Sequence, residues 1–139
     1  MFRRKERGTA LVEFALILPL LLLVLFGIIE FSILFYDKAV ITNASREAAR
    51  EWVVYRDVRL TSAEIAQVVD NYTQDRMISI NSGNVPVTET DPADPTAIAS
   101  GQSLELTVRY SYDFMFLPGF MSDLLPTVNL SATTIMRAE

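Results

Sequence analysis

The chain has 139 residues, with 12 basic and 17 acidic side chains and a net charge of −5. It contains no histidine, the commonest general base and metal ligand, and no cysteine with which to cross-link a small exported domain. The acidic balance argues against nucleic acid as a partner. The composition therefore favours a structural or binding protein over an enzyme, and we expect neither a cofactor nor a metal.

A basic leader and a long apolar run open the chain. Four of residues 3–7 are basic, and residues 14–29 are apolar apart from Pro19 and Gly27. The run continues to Tyr36 with Glu30 as its only charge, which exceeds the roughly 20 residues of a membrane-spanning helix. Because basic flanks stay in the cytoplasm, the pattern predicts a cytoplasmic N-terminus and an extracytoplasmic remainder.

A cleavable secretory signal is the alternative for this segment. Such signals have an apolar core of about 7–15 residues and end at a small-residue cleavage site. The run is longer, and no convincing site of that kind follows it. The sequence therefore favours a retained membrane helix.

Two carboxylates lie within the apolar run. A charge in hydrocarbon is costly, so Glu13 is predicted to be functional; the alternative is that it reaches the headgroups from near the helix start. For Glu30 two interpretations stay open: it reaches the outer interface, or it meets a partner in another subunit. Pro19 and Gly27 are interpreted as interhelical packing features, although no G-x-x-x-G pattern is present.

Residues 8–31, GTALVEFALILPLLLLVLFGIIEF, resemble the N-terminus of the TadE-like pseudopilins, minor subunits of the Flp (tight adherence) pilus system. The resemblance extends to the ASREAAR segment at residues 44–50 and is specific over about the first 50 residues. It implies cleavage between Gly8 and Thr9 by a prepilin peptidase, a membrane aspartic protease. Glu13 and Phe14 would then remain in the mature chain and act in assembly.

The resemblance also implies where the protein works and with what. It implies a single-pass protein of the cell inner membrane, incorporated in the pilus, that serves pilus assembly and surface adherence. The implied partners are the prepilin peptidase, other Flp-type pilins and pseudopilins, and the pilus assembly machinery. In pilins this glutamate is thought to pair with an N-terminal amine during docking.

The residues themselves agree with that interpretation. Gly8 has no Cβ to obstruct a protease that approaches the scissile bond. Cleavage would create an α-amine at Thr9, about one helical turn from Glu13. A simple membrane anchor needs basic residues on the cytoplasmic side, but anchoring does not require this spacing of glycine and glutamate.

Past the membrane, the apolar spacing predicts that the same helix continues to about Arg56. Its predicted packing stripe contains Ala39, Val40, Ala44, Ala48, Trp52 and Val53. The predicted organisation is a leader over residues 1–8, a transmembrane and spine helix over 9–59, and a small domain over 60–139.

The small domain is predicted to begin with a second helix from Ser62 to about Arg76, capped by Thr61 or Ser62. Its predicted stripe is Ile65, Val68, Val69 and Tyr72. Short strands are expected at residues 77–80 and 85–90, with a turn at 82–84 and Pro86 at a sheet edge. The acidic, proline-rich residues 91–96 lack the ligand spacing of a calcium loop.

Strict alternation over residues 103–114 predicts a half-buried strand that pairs antiparallel with residues 127–137. The fold class is therefore α+β: a long N-terminal transmembrane helix continuing into a small extracytoplasmic domain with one further helix and an antiparallel sheet. The apolar connection at residues 115–125 either tucks into the core, which we favour, or forms an exposed patch for a neighbour or a membrane surface.

A single-pass sensor or binding module with an extracytoplasmic domain is the alternative function. A membrane-anchored hydrolase lacks the usual base and metal ligands. The glycine–glutamate spacing favours the pilin-like subunit over both.

Overall fold

The computed structural model describes residues 3–54, 59–80, 84–116 and 127–138. Two helices, α1 (Arg3–Val53) and α2 (Ser62–Gln74), precede three strands, β1 (Val87–Asp91), β2 (Ser103–Tyr112) and β3 (Val128–Arg137). The predicted α+β class is confirmed. The chain divides into two compact units, one of Met1–Ser32 with Phe114–Pro126, the other of Ile33–Asp113 with Thr127–Glu139.

In the first unit, α1 presents apolar side chains to its surroundings on most sides. Leu16, Leu20 and Ile28 are each at least 60% exposed. By length and composition, the helical segment Gly8–Val53 is able to cross a membrane. A helix that is hydrophobic all round is typical of a segment covered by protein or by lipid. The helix begins at Arg3, earlier than the expected start near Gly8; its predicted end at Arg56 lies outside the described residues.

In the second unit, the same helix is buried along one side. Val40, Ala44, Ala48 and Trp52 are buried as predicted, whereas Ala39 is exposed and Val53 only half-buried. The buried side also includes Ile41 and Ala49 and the polar residues Asp37 and Ser45. The Trp52 indole donates a hydrogen bond to the Pro95 carbonyl at 3.1 Å, which satisfies its polar atom in the core.

Helix α2 starts with a capping box. The Thr61 hydroxyl accepts from the Glu64 amide at 3.3 Å, and the Glu64 carboxylate accepts from the Thr61 amide at 2.8 Å. The buried residues of α2 are Ile65, Val69 and Thr73. Ile65 and Val69 agree with the predicted stripe, whereas Thr73 is buried in place of Val68 and Tyr72. The Thr73 hydroxyl is tolerated there because it donates to the Val69 carbonyl at 2.9 Å.

The sheet has the order β1-β2-β3, and both pairs are antiparallel. Strand β2 is central, and its predicted alternation is confirmed by five buried residues: Leu104, Leu106, Val108, Tyr110 and Tyr112. Tyr110 lies opposite Leu130, in agreement with the predicted pairing of these two strands. Strand β1 is at an edge, as the adjacent Pro86 predicts.

Two local predictions are wrong. Residues 77–80 do not form a strand, because the amides of Ile78 and Ser79 donate to a side chain instead of a neighbouring strand. In the apolar connection, Met115 and Phe116 are 52% and 45% exposed, so the favoured burial fails for the residues that the structure describes. Residues 117–126, and residues 81–83 of the expected turn, lie outside the described residues.

Candidate assembly and processing site

The predicted cleavage position lies inside α1. Gly8 and Thr9 are both helical and exposed. A Cβ added at Gly8 would meet nothing within 4 Å, so packing within the chain does not require glycine there. Glycine in a helix interior destabilises it by about 0.5–1 kcal/mol relative to alanine. The glycine therefore weakens the helix at a position where a Cβ would meet no steric obstacle.

Thr9 and Glu13 are brought onto one face of the helix. Four residues separate them, about one turn, so their side chains are neighbours on the surface of α1. Glu13 is exposed, and Phe14 beside it is 56% exposed. A positive charge at Thr9 would thus lie within a turn of the Glu13 carboxylate.

Pro19 and Gly27 both lie within α1. Proline has no amide hydrogen, so it removes the bond that the Ala15 carbonyl would otherwise accept. Gly27 is half-buried, and a Cβ there would also meet nothing within 4 Å. Their interhelical role stays a prediction.

Glu30 is 1% exposed although it lies in the apolar part of α1. One carboxylate oxygen accepts from the Met115 amide at 2.9 Å, and the other accepts from the Phe116 amide at 2.6 Å. Charge-assisted bonds of this kind are stronger than neutral ones. Neither sequence interpretation of Glu30 anticipates a partner 85 residues further along the same chain.

Asp37 is a second buried carboxylate, and sequence reasoning missed it. It is fully buried and accepts from the amides of Ile78 at 2.9 Å and Ser79 at 3.1 Å. The Ser79 hydroxyl also donates to it. The one available signal is its position directly after the apolar run, where a charge is easily taken for a solvated flank.

The Asp37 cluster extends to the sheet through Tyr110. The Tyr110 hydroxyl donates to the Ser79 carbonyl at 2.8 Å. Burial raises the pKa of the Tyr110 hydroxyl above its usual value near 10, and the hydrogen bond with Ser79 partly opposes this shift. The cluster therefore contains an anionic acceptor and neutral donors, an arrangement suited to holding backbone segments in place.

The described residues include no group of three or more acidic side chains positioned to hold a metal ion. Glu30 and Asp37 instead share one chemical pattern, in which a helix carboxylate accepts the amides of two successive residues. Such pairs connect segments that are distant in sequence.

A known family model matches part of the sequence of α1. The family model for TadE-like protein matches residues 8–50, a range that starts at Gly8 and includes Glu13, Pro19, Gly27 and Glu30. No curated protein and no solved structure shows significant similarity to the chain. The resemblance drawn from the sequence is thus confirmed: residues 8–50 of this chain match the TadE-like protein family.

Proposed function

We propose that the chain is a pilin-like structural subunit of the tight adherence pilus system, not an enzyme. The observation that carries the proposal is that the TadE-like match lies within the membrane-capable helix α1, since the match covers residues 8–50 and the helix Arg3–Val53. One helix would thus anchor the subunit before assembly and form its spine afterwards. The second unit would project outside the inner membrane.

Processing is the second element of the proposal. The prepilin peptidase cuts between Gly8 and Thr9 and removes the basic leader. Gly8 supports this in two ways: it leaves the scissile bond unobstructed, and it lowers the cost of unwinding the helix so that the protease can engage an extended backbone. Both effects explain a glycine at a position where packing within the chain does not require one.

Glu13 supplies the assembly function. The exposed carboxylate has no burial within its own chain, and its charge is costly in hydrocarbon. When α1 joins other pilin helices, an N-terminal α-amine of the kind that cleavage creates at Thr9 offsets that cost. Phe14 provides apolar contact beside the pair.

The decisive experiment follows cleavage by intact mass. The chain is expressed in membranes with and without a prepilin peptidase, together with Gly8→Leu and the matched control Gly27→Leu. A Cβ added at either position meets no atom within 4 Å, so neither substitution introduces a clash at its Cβ. We expect the parent chain and Gly27→Leu to lose residues 1–8, and Gly8→Leu to keep them. Normal trimming of Gly8→Leu would contradict the assigned cleavage position.

A further inference from the structure

The Glu30 side chain lies in the apolar part of α1 and binds backbone there. Its two carboxylate oxygens accept the amides of Met115 and Phe116 at 2.9 and 2.6 Å. Those residues are not part of a helix or strand. Their backbone therefore obtains hydrogen bonds from a helix side chain rather than from regular structure.

The length of α1 places this contact near one edge of a bilayer. Residues 9–29 span about 31 Å at about 1.5 Å per residue. The hydrocarbon core is about 30 Å thick, so a helix that enters the membrane near Thr9 leaves it near Glu30. Met115 and Phe116 share that depth, because their amides lie within hydrogen-bond distance of Glu30.

The side chains around this contact are apolar and uncovered. Met115 and Phe116 are 52% and 45% exposed, and the residues flanking Glu30, Ile29 and Phe31, are 36% and 59% exposed. The surface around Glu30 thus continues the apolar surface of the membrane-capable helix. Water does not reach such a surface in a bilayer, and an irregular backbone there must find its hydrogen-bond partners within the protein.

We propose that Met115 and Phe116 form a second membrane contact, immersed in the lipid at the outer edge of the bilayer, with Glu30 as the positioning residue. The Glu30 carboxylate satisfies the two amides that lipid cannot, and the two side chains enter the apolar layer beside α1. The inference rests on the proposed function, because it takes α1 to span the membrane. It assigns Glu30 a role within its own subunit.

The cysteine-free chain allows a direct test by spin labelling at single cysteines. Three variants of the full chain each carry one nitroxide label. Phe116→Cys is the test position, Leu21→Cys is the lipid control, and Ile135→Cys on β3 is the aqueous control. The three side chains are 45%, 55% and 65% exposed, in that order. Each variant is reconstituted at a low protein-to-lipid ratio in phosphatidylcholine–phosphatidylglycerol vesicles. Collision rates are measured with oxygen, which concentrates in lipid, and with a water-soluble nickel chelate.

We expect the label at position 116 to collide mainly with oxygen, as at position 21, and the label at 135 mainly with the nickel chelate. A label at 116 that behaves like the one at 135 would overturn the membrane contact and leave the spanning helix intact. A label at 116 that is shielded from both reagents would overturn the lipid contact and would indicate that a second copy of the chain covers this surface. If position 21 also meets the chelate, the span fails, and this inference fails with it.

Glu30→Gln in the Phe116→Cys background tests the positioning role. Glutamine offers one acceptor oxygen instead of two and adds donors, so one backbone amide loses its partner. We expect nickel collisions at position 116 to rise severalfold, whereas the control Glu47→Gln should leave them unchanged. An unchanged label depth in Glu30→Gln would refute the role of the carboxylate.

Discussion

Glu13 and Glu30 are both carboxylates of the apolar helix, but they differ in burial and in hydrogen bonding. Glu30 is 1% exposed and accepts two backbone amides of the same chain, whereas Glu13 is exposed on the surface of α1. A charge that its own chain does not bury must be stabilised by what surrounds the helix. This contrast supports the proposed assembly role of Glu13 and the inferred role of Glu30 within its own chain.

We predict that Glu13→Val separates assembly from the earlier steps. The substitution removes a charge from the apolar segment, so membrane retention should be at least as strong as in the parent chain. Trimming after Gly8 should largely persist, because the leader and the scissile bond are unchanged. Co-purification with partner pilins in the same detergent should be lost, because the α-amine no longer has its carboxylate.

The control for that experiment is Glu105→Val, which removes an exposed carboxylate from β2 at a position where valine is well tolerated. It should co-purify normally. Undiminished co-purification and normal piliation of Glu13→Val would show that Glu13 only reaches the headgroups and has no role in assembly.

Among the elements, the helix α2 and strands β2 and β3 follow from local patterns. The capping residues Thr61 and Glu64 and the period-two alternation of β2 each act within a few residues, so sequence spacing is enough to identify them. The mostly apolar segment at residues 77–80 is also predicted as a strand but does not form one. Its amides bond to Asp37, 41 residues earlier in the chain, and no local spacing reveals such a partner.

The same limit applies to the candidate site. The glycine and glutamate spacing near the N-terminus is a local motif, so the sequence alone is enough to propose Gly8, Thr9 and Glu13 as site residues. The partners of Glu30 depend on where the apolar connection folds back, a long-range property of the structure. The role of Asp37 is also absent from the local pattern, because its partners are distant in sequence.

We predict that Asp37→Asn destabilises the second unit. Asparagine retains a single acceptor for three donors, and an unpaired buried donor costs about 1–3 kcal/mol of the free energy of unfolding. The measurement is urea unfolding of the full chain in detergent, followed by the fluorescence of Trp52, the sole tryptophan, which is 1% exposed.

The matched control is Asp75→Asn, the same change at an exposed residue after α2. An exposed substitution of this kind usually changes stability by less than about 0.5 kcal/mol. Equal unfolding midpoints for Asp37→Asn and Asp75→Asn would show that the Asp37 bonds contribute nothing to stability.

At the scale of the whole molecule, the charge distribution predicts topology. Four of residues 3–7 are basic, and only one lysine, Lys38, lies close to the other end of the apolar run. Because basic flanks are retained in the cytoplasm, we predict that the C-terminus lies outside the inner membrane. A periplasm-active reporter fused after Glu139 should be active, and a cytosol-only reporter in the same place should be silent.

Removal of residues 1–32 from the same fusions provides the control, because the pattern of reporter activity should then reverse. A full-length fusion that is active only with the cytosolic reporter would overturn the single-span orientation. It would also remove the extracytoplasmic placement on which the proposed pilin-like function depends.

The attachment of the sheet and the connecting segments to the C-terminal part of α1 has a mechanical consequence. Asp37, Ser45 and Trp52 bond respectively to the segment after α2, to Thr134 of β3 and to Pro95 after β1. These three positions extend over about 22 Å of helix at about 1.5 Å per residue. A pull along the helix axis loads all three attachments together, in shear, so none has to bear the force alone. A fibre built on such helices would transmit tension through its subunits without peeling their outer parts from the spine.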